Sequence, residues 1–279
     1  MKVMLLGASG FVGKYLIAAL HQRGDEVVSA SLRDPSNAAT LAAACEAIVN
    51  LAGEPLAQRW NAAVKLRIEE SRIGAPRRFL DELAQRDRRC TTYVSASAVG
   101  YYGTSETETF VETSPPGNDF LAHVCVGWER EANSATNLGM RVALVRTGIV
   151  LGAAGGALEK ILPPFRAGMG GIVGNGRQWY SWVHVDDLVK IYLGAIDRFD
   201  GPLNATAPNP TTNATFTSEL AAALHRPARV AVPTFVLRAM LGEGADILLR
   251  GQRVLPRRTQ ELGYRFIFPE LKDALANLL

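Results

Sequence analysis

The apolar run Val3-Met4-Leu5-Leu6 leads directly into Gly7-Ala8-Ser9-Gly10-Phe11-Val12-Gly13, and from Phe11 to Leu20 apolar residues recur at helical spacing. A buried strand, a glycine turn and a helix in immediate succession make the opening unit of a parallel sheet. Each glycine has a mechanical reason. Gly7 permits the tight turn, Gly10 lets backbone N–H groups approach a pyrophosphate, and Gly13 allows the helix to pack closely on the strand. The helix N-terminus adds unpaired donors and the positive end of its dipole. A dinucleotide is therefore expected here, on Gly7, Ser9, Gly10, Phe11, Val12 and Gly13.

The same alternation continues. Gly24 stands where a helix C-cap belongs, and Val27 to Ser31 reads as a second strand. Ala47 to Leu51, Thr92 to Ser95 and Arg141 to Arg146 read as further strands, separated by helical stretches over 61–83 and 119–138. This interval predicts an α/β, doubly wound parallel sheet covered on both faces. Val185 to Phe199 reads as another helix, with Gly201 to Ala205 rejoining the sheet. Beyond residue 151 the chain is loop-rich and punctuated by glycine and proline. The expected division is a core of 1–151, rejoined by about 184–206, and a smaller lobe of 152–183 and 207–279. The arginines at 250, 253, 257, 258 and 265 read as a solvated face.

Composition excludes several alternatives. In 279 residues, 48% hydrophobic and 20% charged, the net charge is only +3, too little to imply nucleic acid or a membrane. No stretch approaches the ~18 apolar residues of a membrane span. The three cysteines (Cys45, Cys90, Cys125) form no C-x-x-C pair and no metal-ligand cluster. They predict reduced thiols and a cytoplasmic location. A monomer or weak homodimer acting on a small molecule is expected.

The end of the second strand reports which dinucleotide. An acid there would take both ribose hydroxyls, but this chain has Ser31-Leu32-Arg33. The small Ser31 leaves room for a 2′-phosphate and Arg33 supplies charge-assisted bonds to it, so NADP(H) is expected over NAD(H). Asp34 offers another reading, in which it pairs with Arg33 or binds a ribose itself.

The glycine turn, Asn50-Leu51-Ala52-Gly53, Ser95 to Gly103 and His184-Val185-Asp186-Asp187 resemble an extended short-chain dehydrogenase/reductase of the epimerase/dehydratase superfamily. Glu54-Pro55, Trp128-Glu129, Arg146 to Gly152, Ser181 to His184, Arg226-Pro227, Gly242-Glu243 and Arg253 to Pro256 resemble its atypical "epimerase family protein" branch along the whole chain. The resemblance implies a Rossmann-type core, a C-terminal substrate lobe, coenzyme contacts at Leu51, Ala52 and Gly53, and NADP-dependent oxidoreductase or epimerase activity. One stretch departs from the pattern. Between Arg33 and Ala47 there is room for one or two helical turns over Thr40 to Cys45 but not for an additional edge strand.

Redox members of the superfamily use Ser with Y-x-x-x-K, the lysine lowering the phenol's pKa of ~10. No tyrosine here has lysine four places on, and the expected pair falls on Leu121 and Cys125. Ser97 matches the catalytic serine, where it would polarise a carbonyl oxygen, although a strand-end hydroxyl also reads as an ordinary turn residue. Tyr101 or Tyr102 is the candidate proton donor, beside water. Arg72, Trp128 and Trp182 are candidate pocket residues. Two functions follow from this pattern, an NADP(H)-dependent enzyme without the usual pair, or a non-catalytic NADP(H) sensor.

Overall fold

The computed structural model describes residues 1–279. In chain order the strands are β1 (Lys2–Leu6), β2 (Glu26–Ala30), β3 (Ala47–Asn50), β4 (Thr92–Ala98), β5 (Thr109–Phe110), β6 (Arg141–Thr147), β7 (Ile149–Gly152), β8 (Trp179–Tyr180), β9 (Trp182–His184) and β10 (Gly201–Ala205). The helices used below are α1 (Phe11–Gln22), α2 (Pro35–Ala43), α3 (Ala62–Glu69), α4 (Ala75–Ala84), α5 (Phe120–Asn133), α6 (Gly156–Arg166), α7 (Val185–Asp197), α8 (Asn213–Ala223) and α9 (Thr234–Leu241).

Six strands form one sheet in the order β10-β6-β4-β3-β1-β2, every pair parallel. Alternation along β1 explains its two faces. Val3 and Leu5 join the core under α1 and α7, whereas Met4 and Leu6 join the core under α2 and α4. This is the Rossmann-type doubly wound arrangement, α/β in class, with β2 at the margin and no strand beyond it. The helix before β3 is longer than expected. It begins at Pro35, because the Asp34 carboxylate accepts from the Asn37 N–H at 3.0 Å and Pro35 occupies a first-turn position that needs no donor.

The smaller lobe has its own core, in which Leu158, Phe165, Trp182, Phe216, Leu271 and Leu275 meet. Its tail is stitched back onto the sheet layer. Arg253–Val254 pairs in parallel with β5, and Tyr264 and Phe266 pack on the α7 side. The Asp187 carboxylate, fully buried, fixes that segment by accepting from the Tyr264 hydroxyl at 2.7 Å and the Ile267 and Phe268 N–H groups. One of the C-terminal arginines departs from the solvated-face expectation: Arg258 donates to the Pro202 carbonyl (3.1 Å) and the Asp200 carboxylate (2.6 Å), whereas Arg253 stays exposed, 4.9 Å over the Trp179 ring. No helix is long and apolar enough to cross a membrane.

Candidate functional site

The turn after β1 is built on contacts that tolerate no side chain. Gly7 has φ +82°, and a Cβ there would lie 2.7 Å from the Leu51 carbonyl carbon and 2.8 Å from the Ala52 nitrogen. A Cβ on Gly13 would lie 2.6 Å from the Ala8 carbonyl oxygen. Gly10 differs, since its Cβ would meet only the Gly7 carbonyl oxygen, at 3.2 Å. No side chain caps α1 and its first turn holds no acid, so its N-terminal donors are left for a ligand. Ser9 is exposed at the same turn. The side chains of Phe11 and Val12 are otherwise engaged. Phe11 packs edge-on to Tyr15 and beneath Gly152, Gly155 and Gly156, and Val12 packs on the core, so only their backbone faces the turn's open side.

Just past β2, Leu32 is buried in the core while Ser31 and Arg33 are exposed. The Ser31 hydroxyl accepts from the Arg33 N–H at 3.2 Å. Asp34 is spent on capping α2, so the Arg33 guanidinium has no carboxylate partner. At the end of β3, the Ala52 N–H donates to the Asn50 side chain at 3.1 Å. A Cβ on Gly53 would touch the Arg72 guanidinium at 3.0 Å.

A cavity of about 590 Å³ adjoins this end of the sheet. Its walls are Ser97 and Ala98 from β4, Thr147 and Gly148 after β6, one face of α5, and residues of the smaller lobe including Tyr180 and Trp179. Leu121 and Cys125, at the positions expected for the proton-transfer pair, both line it. Burial pushes the Cys125 thiol up to about 12, so it stays protonated at neutral pH and is no nucleophile.

Ser97 also lines the cavity and is 3% exposed. Its hydroxyl donates to Glu129 Oε1 at 2.6 Å. Arg146 in turn grips Glu129 with Nε at 2.8 Å and Nη2 at 2.7 Å, both side chains being buried. The one proton of Ser97 is therefore committed to a carboxylate. Towards the cavity the hydroxyl offers lone pairs, which can accept a hydrogen bond but leave no proton to donate to a carbonyl. That reverses the polarity expected of it from the sequence.

Neither tyrosine reaches the cavity, which corrects their reading as proton donors. The short helical turn Val99–Tyr102 directs both rings at Arg146. Tyr101 lies under the guanidinium at 3.5 Å. Tyr102 donates to Asn204 Oδ1 at 2.7 Å and accepts from Arg146 Nη1 at 2.9 Å, and burial pushes its hydroxyl up to about 12. Trp182 needs the same correction. It is fully buried in the lobe core, with its indole N–H donating to the Asn209 carbonyl, and is not a pocket residue. Arg72 and Trp128 do line the cavity. His184 caps α7, its Nδ1 accepting from the Asp186 N–H at 3.1 Å. The Glu129–Arg146 pair escaped sequence reasoning because its members lie on α5 and β6, where no spacing rule links them.

Comparison with known proteins gives a consistent result. The model of the NAD dependent epimerase/dehydratase family matches residues 3–206, and a Domain of unknown function (DUF1731) matches residues 232–278. The Arabidopsis thaliana "Epimerase family protein SDR39U1 homolog, chloroplastic" is 41% identical, covering 100% of this chain and 87% of that protein. The crystal structure of human epimerase family protein SDR39U1 (isoform 2) with NADPH is similar over 100% of this chain and 99% of its own, at 33% identity and TM-score 0.90. A Thermotoga maritima UDP-glucose 4-epimerase, crystallised with UDP-glucose, shares the fold alone. It is 19% identical with TM-score 0.81, over 99% of this chain and 96% of its own.

Proposed function

Because the chain belongs to the NAD dependent epimerase/dehydratase family, we propose that it binds NADP(H) across the first strand–helix crossover and reduces or epimerises a small hydroxyl- or carbonyl-bearing substrate in the adjoining cavity. The observation that carries the coenzyme choice is the Arg33 guanidinium, exposed just past β2 and free of any carboxylate, with only the small Ser31 beside it. The uncapped N-terminus of α1 suits the pyrophosphate. The human relative's NADPH complex supports the same choice. The three cysteines, each buried and unpaired, fit a reducing compartment such as the cytoplasm.

When bound, the coenzyme supplies or takes a hydride at its nicotinamide. The chain's own contribution centres on Ser97. In the oxidising direction a substrate hydroxyl donates to the Ser97 oxygen, whose proton Glu129 holds away from the substrate. With Leu121 and Cys125 where a phenol and an ammonium would stand, water entering the cavity exchanges the proton. The same substitution favours a second reading, a sensor that binds coenzyme and ligand without turnover.

Titration calorimetry with NADPH and NADH tests the coenzyme assignment. Arg33→Ala is expected to weaken NADPH by about ten- to hundredfold, the worth of one charge-assisted phosphate contact, and to leave NADH within about twofold. An unchanged NADPH preference would refute it. Single-turnover oxidation of bound NADPH by a carbonyl panel separates enzyme from sensor. If turnover occurs, Ser97→Ala should slow it about tenfold or more at unaltered coenzyme affinity. An undiminished rate removes Ser97 from the chemistry.

A further inference from the structure

Arg72 sits on a five-residue π turn, Glu70–Gly74, inserted between α3 and α4. Such turns are rare and concentrate at functional sites. Pro76 lies at the start of α4 and has no N–H to continue the ordinary ladder. The turn brings the guanidinium between Gly53 and the cavity, 5.1 Å from the Trp128 ring. There it donates only to neutral oxygens, the Glu54 carbonyl at 3.0 Å, the Ile68 carbonyl at 3.5 Å and the Ser71 hydroxyl at 3.4 Å.

The other charged groups on the cavity wall are all engaged. Glu243 pairs with Lys65, Asp246 with Arg238 and Arg250, and Asp119 caps α5. Arg72 is the one cation on that wall with no carboxylate, and burial pushes its pKa down. A desolvated charge without a partner is costly unless a ligand completes it. A second group on the same wall also lacks a partner. Trp128 is 5% exposed, and its buried indole Nε1–H meets no acceptor. An anionic oxygen group on this wall would complete the guanidinium and lie against the indole beside it, whose own N–H is closed off from the cavity.

We propose that Arg72 and Trp128 form an anion subsite, and that the substrate carries a carboxylate or phosphate group which this subsite holds while its hydroxyl meets Ser97. The assignment rests on the reading of the cavity as the substrate site. The wall's aromatic and aliphatic residues, among them Trp60, Phe120, Leu121 and Val124, then take an apolar portion of the same molecule.

The chain has four tryptophans, and the indole N–H resonances of ¹⁵N-labelled protein give one probe at the subsite and, in the buried Trp182, a control away from the cavity, with Trp128→Phe identifying the first. Acetate, inorganic phosphate and neutral acetamide are titrated into free and NADPH-saturated protein. In NADPH-saturated protein, acetate or phosphate should shift the Trp128 resonance saturably, acetamide should not, and the Trp182 resonance in the lobe core should stay in place. Arg72→Met should weaken the anion at least tenfold, and Arg72→Lys should retain part of the effect, with both variants melting as folded proteins. A Trp128 resonance unmoved by either anion overturns the subsite. A shift in free protein that NADPH abolishes overturns the assignment to the substrate, because the anion was then occupying the place of the coenzyme's phosphates. Should NADPH itself fail to bind, the coenzyme reading falls by its own titration. The anion response of free protein then decides the subsite separately.

Discussion

Glu129→Ala is expected to destabilise the fold by about 3–5 kcal/mol, because it leaves the Arg146 charge buried and unpaired. Arg146 is 4% exposed, and its remaining neighbours are the Tyr102 hydroxyl, the Glu112 carbonyl and the Tyr101 ring, none of them anionic. Removing both charges should cost much less than removing one, since the penalty lies in the orphaned ion. Urea denaturation of Glu129→Ala, Arg146→Met and the double variant forms a cycle that tests this. The double variant should recover more than half of the Glu129→Ala loss. Additive losses would show that the pair is not coupled in this way. A functional consequence accompanies the structural one. Without Glu129 the Ser97 proton is released, so the serine can donate to a carbonyl, and the preference of the cavity for hydroxyl donors should weaken.

The parts of this molecule legible in the sequence are those where local geometry restricts residue type. Gly7 and Gly13 are readable because the backbone of Leu51, Ala52 and Ala8 leaves no room for a Cβ, and chain length alone excludes a strand beyond β2. The position of Arg33 follows from where β2 ends. The choice between Arg33 and Asp34 was open in sequence, although Asp34-Pro35 is itself a helix-start signal, and the cap settles the partner of Asp34. Illegible were the contacts made across layers. Tyr101 and Tyr102 follow a strand as a substrate-facing pair would, yet Arg146, far along the chain, draws both rings inward. Trp128 and Trp182 look alike in sequence. Only the packing of the small lobe decides that one lines a cavity and the other fills a core. Donor polarity was hidden for the same reason, since a serine's spelling does not say which way its proton points.

Gly13→Ala should cripple coenzyme binding more than folding. Alanine inside a helix ordinarily gains about 1 kcal/mol over glycine in propensity. At this position the added Cβ would stand 2.6 Å from the Ala8 carbonyl oxygen and 2.7 Å from that of Gly7, both main-chain atoms that no rotamer change can move. Relieving the overlap requires α1 to shift away from the turn, at about 1–3 kcal/mol for an overpacked contact, so the net stability change is small to moderate. The binding change is larger because the donors at Gly10, Phe11 and Val12 ride on the displaced backbone. A misplacement approaching 1 Å at a positioned site costs on the order of a hundredfold, and NADPH affinity should fall by about that factor. Gly24→Ala supplies the contrast. Gly24 has φ +81° with nothing within 4 Å of its Cβ position, so alanine there meets only left-handed backbone strain, about 1–2 kcal/mol. Thermal melts and NADPH titrations of the two variants should separate cleanly, with Gly24→Ala losing stability at normal affinity and Gly13→Ala losing affinity out of proportion to stability. Normal NADPH affinity in Gly13→Ala would mean that the coenzyme's phosphates do not rest on this turn, and the place assigned to Arg33 beside them would have to be abandoned as well.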